Sequence, residues 1–276
     1  MPDENQRLAR AALTALSSAI PLADSPTRTD LAGVWACLAP HHPAVDPARL
    51  LDEAAAQGWR LLIPGDPGWP SALDDALVGP VGLWARGGTG PPVAARRCVT
   101  VVGGLVASAH AERVTGDLVG DLTSPTVDPV TVASTGLGSG VDVTALRVAA
   151  AHRRAVAVLS STRGLTRLHQ AHLDRVADGG MVLCLAPPGV LPTVGHAHAR
   201  VRLLAALSAA TVLVESEARG AAFDTARAAQ TLGRPVLVIA GPATPALGAG
   251  PRALLAEYAA WPVTGADDVR AVLDQT

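Results

Sequence analysis

Residues 130–142, Val-Thr-Val-Ala-Ser-Thr-Gly-Leu-Gly-Ser-Gly-Val-Asp, run an apolar stretch into a glycine-rich turn and then into a helical pattern opening near Asp142. Gly136, Gly138, Ser139 and Gly140 therefore sit where free backbone N–H groups and the positive end of a helix dipole face outward, a place to hold phosphate. Several glycines in one turn allow a close backbone approach that turning alone would not require. Gly103 and Gly104 end another apolar run and could cradle a phosphate through their amides or only make a tight turn. Arg200 and Arg202 stand two apart ahead of Leu203, Leu204 and Leu207, so they are expected in the first turn of a helix with both guanidinium groups near the ligand edge. Asp142 reads either as a ligand contact or as an acid complementing its own helix dipole. His196 and His198 form an H-x-H pair that would suit a metal on a strand, but no carboxylate or third histidine is close in sequence, and no metal is expected.

The elements that must position these residues are legible as alternating runs. Besides the run ending at Ser134, five others end in small, turn-forming residues: 99–104, 155–161, 181–189, 211–216 and 235–242. Near-continuous Val/Ile/Leu runs suit strands buried on both faces. Between them, 107–122, 141–152, 165–177 and 223–232 have helical spacing. Strand and helix alternating in this way predict an α/β fold, a Rossmann-like doubly wound and mostly parallel sheet with right-handed crossovers. Ligands in such a sheet sit beyond the carboxyl ends of the strands, where the glycine-rich turns gather.

The N-terminal part reads differently. Residues 7–20, 31–38 and 47–57 have the spacing of three helices and predict a small helical domain over 1–58. Two short apolar runs punctuated by turn residues, 59–73 and 80–87, make 59–92 an extension leading into the sheet domain of 93–276, which closes with an apolar helical tail around Leu254, Leu255 and Tyr258. That tail could serve a homodimer or pack internally.

A net charge of −2 does not announce a nucleic-acid binder, but it averages over an uneven distribution. Between Arg147 and Arg175 there are six arginines against the single acid Asp174. Arg147, Arg153, Arg154, Arg163 and Arg167 make a candidate basic track. All 22 fixed cations are arginines, able to bind phosphate in a bidentate fashion. An apolar content of 49% can fill a sizeable core, no run is long enough to span a bilayer, and the N-terminus lacks a basic region followed by an apolar stretch, so a cytoplasmic protein is expected. Three widely spaced cysteines, Cys37, Cys98 and Cys184, read as buried free thiols.

The order Ile63-Pro-Gly-Asp-Pro-x-Trp69-Pro-x-x-Leu73, then Pro80, Leu83-Trp84-x-Arg86-Gly87 and Val101-Val102-Gly103, resembles the DNA-processing protein A family (DprA, also called Smf). Residues 135–142 are similar to that family's S-G-L-A-R-G-I-D and residues 200–208 to its R-N-R-I-I-A-G-L-S. Val214-Glu215, Gly220, Thr225-Ala226, Gly233-Arg234 and Ala240-Gly241 follow in the family's order, so the likeness runs along essentially the whole chain. The resemblance implies a non-catalytic recombination mediator without cofactor that binds single-stranded DNA, dimerises and helps load the RecA recombinase during DNA uptake or repair. By the same resemblance Glu215, Gly220 and Thr225, with Arg219, close the ligand pocket. The chain departs from the pattern at Leu105, Ser139 and Val201, where the family has arginine, arginine and asparagine. Its end at Thr276 leaves no room for the winged-helix domain that some members carry.

The alternative is a small-nucleotide binder or nucleotide hydrolase on the same fold. The P-G-G-x-G-T signature of the related phosphoribohydrolases is absent, and no carboxylate pair or Cys/His constellation offers an acid and a base. G-x-G-x-x-G is missing after the first strand of the sheet domain, which argues against a dinucleotide-dependent oxidoreductase. Aromatic poverty, one Phe, one Tyr and five Trp, leaves few platforms for stacking bases.

Overall fold

A computed structural model describes residues 3–16, 30–74, 79–88, 95–137, 140–239 and 246–275. Among the described residues three α-helices come first: α1 (Glu4–Leu16), α2 (Leu31–Leu38) and α3 (Pro47–Ala56). Asp30 and Asp46 start the second and third, each side chain accepting from a backbone N–H three residues on, and Pro47 spends no donor at the first helical position.

Strands β1 (Arg60–Leu62) and β2 (Leu83–Gly87) follow as an antiparallel pair. The remaining seven are β3 (Cys98–Val102), β4 (Thr131–Ser134), β5 (Ala155–Leu159), β6 (Gly180–Cys184), β7 (Ala210–Leu213), β8 (Val236–Ile239) and β9 (Trp261–Val263). They alternate with α4 (Ala109–Thr123), α5 (Val141–Ala151), α6 (Arg167–Asp178), α7 (Val194–Leu207), α8 (Ala221–Thr231) and α9 (Ala249–Ala256), and α10 (Ala266–Leu273) closes the described chain. All nine strands join one sheet in the order β1-β2-β6-β5-β4-β3-β7-β8-β9, parallel from β6 to β9 and antiparallel where β2 meets β6. The Rossmann-like, mostly parallel sheet is as expected, and 59–92 contributes two strands to it.

Both faces of the sheet are covered, which is why its strands read as unbroken apolar runs. Val99, Val101 and Val132 pack under α4, α5 and α6, while Val102, Ala133 and Leu213 pack under α7, α8 and α9. The first helix, α1, is hydrogen-bonded to this body. Thr14 on α1 accepts from the Trp84 indole at 3.0 Å through its hydroxyl and from His196 Nε2 on α7 at 3.0 Å through its carbonyl. Arg7 reaches the Leu61 carbonyl at 2.9 Å and Asp66 at 2.7 Å. Cys98 and Cys184 are fully buried, and burial pushes their thiols up to about 11 and about 12. Cys37 is exposed, contrary to its expected burial, because α2 turns only Leu31 fully into the core.

Candidate functional site

Strand β3 lies between β4 and β7. The chain leaves β3 towards β4, winds out to β6, and returns through α7 to β7 on the other side. At that reversal the loops diverge and leave a crevice outside the carboxyl ends of the strands. A cavity of about 730 Å³ opens there. One wall is the β3–α4 loop, residues 103–106; another is Thr135 and Leu137 after β4 with Asp142 on α5. Arg200 on α7 and residues 219–222 at the head of α8 complete it.

The floor is wired together by a buried carboxylate. Asp142 accepts from the Gly103 N–H at 3.0 Å and from the Thr135 hydroxyl. Burial raises its pKa above the ordinary carboxylate value, while these hydrogen bonds and the Arg200 charge pull it back. Burial in turn lowers the Arg200 pKa, with Asp142 opposing, and Arg200 Nε has no hydrogen-bond partner among the described residues. The next amide, Gly104 N–H, donates to the Glu215 carbonyl at 2.6 Å. The Glu215 carboxylate takes the Ser108 N–H at 3.0 Å and the Ser108 hydroxyl at 2.8 Å, holding the first turn of α4 against β7.

Both amides of the Gly103-Gly104 pair are therefore engaged by protein, and the pair is no phosphate cradle. A Cβ at Gly103 would stand 2.5 Å from Val141 Cγ2, so close packing of β3 on α5 requires that glycine.

Helix starts along the sheet edge are of two kinds, capped by a side chain or opening at a glycine, as α9 and α10 also do at Gly248 and Gly265. Ser108 caps α4, and Thr166 with His169 and Thr193 with His196 form capping boxes on α6 and α7. Helices α5 and α8 start instead at Gly140 and Gly220, which have φ of +83° and +90° and supply no side-chain cap. The first N–H groups of a helix have no partner within it. In α5 the first turn carries Asp142 into the cavity wall; in α8 the wall is backbone, Gly220, Ala221 and Ala222. The α8 end thus presents free donors and a positive dipole to the cavity. Arg219 beside it is 84% exposed at its side chain and pairs with Glu217 at 2.7 Å.

A profile of the DNA recombination-mediator protein A family matches residues 60–274, from β1 to the end of α10. The chain belongs to that family. Mycobacterium tuberculosis proteins of two strains, each assigned as a DNA processing protein DprA, are 35% identical over 77% of this chain. The match takes in 57% of their length, so the chain spans little more than half of the curated relatives it matches. By structure it is similar to the DNA processing protein A of Streptococcus pneumoniae, with a TM-score of 0.74, 22% identity and 98% of each chain covered. It is also similar to that of Helicobacter pylori, with a TM-score of 0.67 and 20% identity over 79% of this chain and 96% of the other. The latter structure is described for its single-stranded DNA binding mode.

In this family member the cavity gathers Gly103, Gly104, Arg200, Arg219 and Gly220 of the expected residues. Gly136, Gly140, Arg202, Glu215 and Thr225 do not line it, and Gly138 and Ser139 lie outside the described residues. The Thr225 hydroxyl donates to the Ala221 carbonyl at 2.7 Å, inside its own helix. Gly136 has φ +66° and leaves space for Leu146. Arg200 and Arg202 are not in a first turn, because α7 begins at Val194. Two positions apart on a helix, about 200° around it, they cannot share a face, and Arg202 is exposed away from the cavity. The basic track also divides. Arg153 and Arg154 precede β5 at the amino end of the sheet, whereas Arg163 and Arg167 follow it at the carboxyl end. His196 lies on a helix, not a strand, with Nδ1 accepting from Thr193 N–H at 3.0 Å.

Sequence reasoning named Gly220 and Arg219 but missed that the head of α8 is uncapped, and it missed the apolar wall of Leu105 and Val106, which expose 78% and 69% of their surface. Gly220 followed by a helical pattern without a preceding Ser, Thr, Asp or Asn was the available signal.

Proposed function

We propose that the chain binds single-stranded DNA as a recombination mediator, holding backbone phosphate at the head of α8 without reading sequence and without catalysis. The carrying observation is the uncapped α8 N-terminus opening, with Arg200 and Arg219, into the crevice at the strand-order reversal. Backbone amides and guanidinium groups suit a repeating phosphate, and the apolar wall of Leu105, Val106 and Leu137 suits a base turned inward. Asp142 and Glu217 offset the two arginines, so the affinity rests more on the helix end than on net charge. Loading of RecA and a homodimer complete the reading and rest on family resemblance. Work in the cytoplasm fits it too, since among the described residues no helix is long and apolar enough to cross a membrane.

The test is a fluorescence-anisotropy titration of a labelled single-stranded oligonucleotide at low and near-physiological salt, with duplex of the same sequence and mononucleotides as competitors. Salt-sensitive binding that prefers the single strand supports the function. No binding at low salt, or displacement by a mononucleotide alone, overturns it.

A further inference from the structure

The cavity accounts for Arg200 and Arg219 but leaves a larger concentration of positive charge unused. On α6, Arg167, His169, His172 and Arg175 follow one another within nine residues, and α5, packed alongside, adds Arg147. Arg147, Arg167 and Arg175 are exposed, and none of their side chains makes an ion pair or hydrogen bond among the described residues. The positive charges are close enough to be felt at His172. Its pKa is held below the ordinary value first by burial and then by Arg175, His169 and Arg147, and its buried Nε2 lacks a partner among the described residues.

Helix stability does not explain this arrangement. Arg167 occupies the first position of α6, where a cation opposes the helix dipole, and no acid stands in that turn. The acid within the run, Asp174, is drawn off to Arg86 on β2. Only Asp178 at the far end offsets the cluster from its own helix. In a chain whose net charge is −2, these cations stay uncompensated on one surface.

The head of that surface lies one strand away from the cavity edge. Thr135 and Leu137 of the cavity wall follow β4, and β5 is its immediate neighbour in the sheet, about 5 Å away. The loop after β5 carries Arg163, whose guanidinium donates to the Gly189 carbonyl at 3.2 Å, and runs directly into α6. From Arg167 the strip continues along the helix for about 12 Å to Arg175. Leu168, 83% exposed, stands beside Arg167 as an apolar contact.

We propose that the exposed face of α5 and α6, headed by Arg163 and carried by Arg167, Arg175 and Arg147, is a phosphate-binding strip on which a DNA strand continues after leaving the cavity. The strip rests on the single-stranded DNA reading and extends it from one pocket to a directed path. Its arginines meet successive phosphates and leave bases unread. Arg153, exposed at the opposite end of the sheet, takes no part.

The test compares the full chain with its R147A/R167A/R175A variant and with R153A, using oligothymidylates of about 6 and about 25 nucleotides. For single strands each phosphate contact contributes about 0.7 to the slope of log affinity against log salt. The triple variant is expected to lose about 2 from that slope on the long strand, and to bind the short strand as the wild type does. Between roughly 50 and 200 mM salt, wild-type affinity for the long strand then falls about 10- to 20-fold further than that of the variant. Arg153→Ala leaves both slopes unchanged. Replacement of the same three residues by glutamine repeats the result if charge, not folding, is responsible. Equal long-strand slopes for wild type and triple variant overturn the strip while leaving the cavity reading intact. Absence of wild-type binding to either strand overturns both.

Discussion

A carboxylate placed at the head of α8 separates helix stability from DNA binding, because the two respond in opposite directions. Ala221 is the first residue of α8, exposed, and part of the cavity wall. In Ala221→Asp the new charge meets the positive end of the helix dipole, a favourable contact of about 0.3–1 kcal/mol. The melting temperature rises by about 1–3 °C for a chain of this size. A DNA phosphate at the same helix end instead meets a like charge. At about 5 Å and an effective dielectric near 20 the repulsion approaches about 3 kcal/mol. Solvent at the open cavity reduces it, and a loss of about 1.5–3 kcal/mol corresponds to about 10- to 150-fold in affinity. The assays are thermal denaturation and single-strand anisotropy on the same preparation. A raised melting temperature with affinity within about twofold of wild type refutes the phosphate position. The helix end would then carry its charge and the DNA would not notice.

Leu105→Arg is expected to tighten single-strand binding and steepen its salt slope by about 0.7, since the exposed side chain already stands in the cavity wall; an unchanged slope means that this loop does not face the strand. Asp142→Ala leaves the Gly103 N–H and the Thr135 hydroxyl unpaired and costs about 2–4 kcal/mol in a denaturant titration. Asp142→Asn, which keeps an acceptor for Gly103 and removes a negative charge beside Arg200, costs less and binds DNA more tightly. Equal stability losses in the two variants would mean that the hydrogen bonds are not what holds the turn. His196 has its pKa lowered by burial, so its neutral form is the folded one. Its contribution to stability is whole above the unfolded value of 6.5 and is lost as pH falls through the lower folded value. Denaturation midpoints between roughly pH 7.5 and 5 should fall with acid in the wild type and fall less in His196→Gln, and parallel profiles would count against the Thr14–His196–Thr193 link.

Periodicity and turn chemistry carried most of the fold. Val99 to Val102, Ala155 to Leu159 and Gly180 to Cys184 are buried along their length, so a local apolar run was enough to mark each strand. Strand β2 was harder to place, because its partner β6 lies some hundred residues on, and no short-range pattern encodes an antiparallel strand added to a parallel sheet. The bounds of α7 were missed for a different reason. Thr193, seven residues before Arg200, forms a capping box with His196, so the arginines expected in a first turn lie in the helix interior. Histidine in place of the usual Glu or Gln hid the signal.

The site shows the limit more sharply. Glycine-rich loops invite a phosphate reading because glycine lets backbone approach a ligand, but the same residue lets one part of the protein approach another. At Gly103 the approaching group is Val141, and the amide it exposes goes to Asp142, 39 residues away. Whether an amide is free depends on that distant carboxylate, which a local motif does not contain. Among the described residues nothing occupies the space a Cβ would fill at Gly220, and no side chain reaches back to cap α8. The two glycines are alike in sequence and opposite in consequence, and the α8 end is marked by its place on the cavity as well as by its lack of a cap, since Gly248 of α9 and Gly265 of α10 are equally uncapped and do not line it.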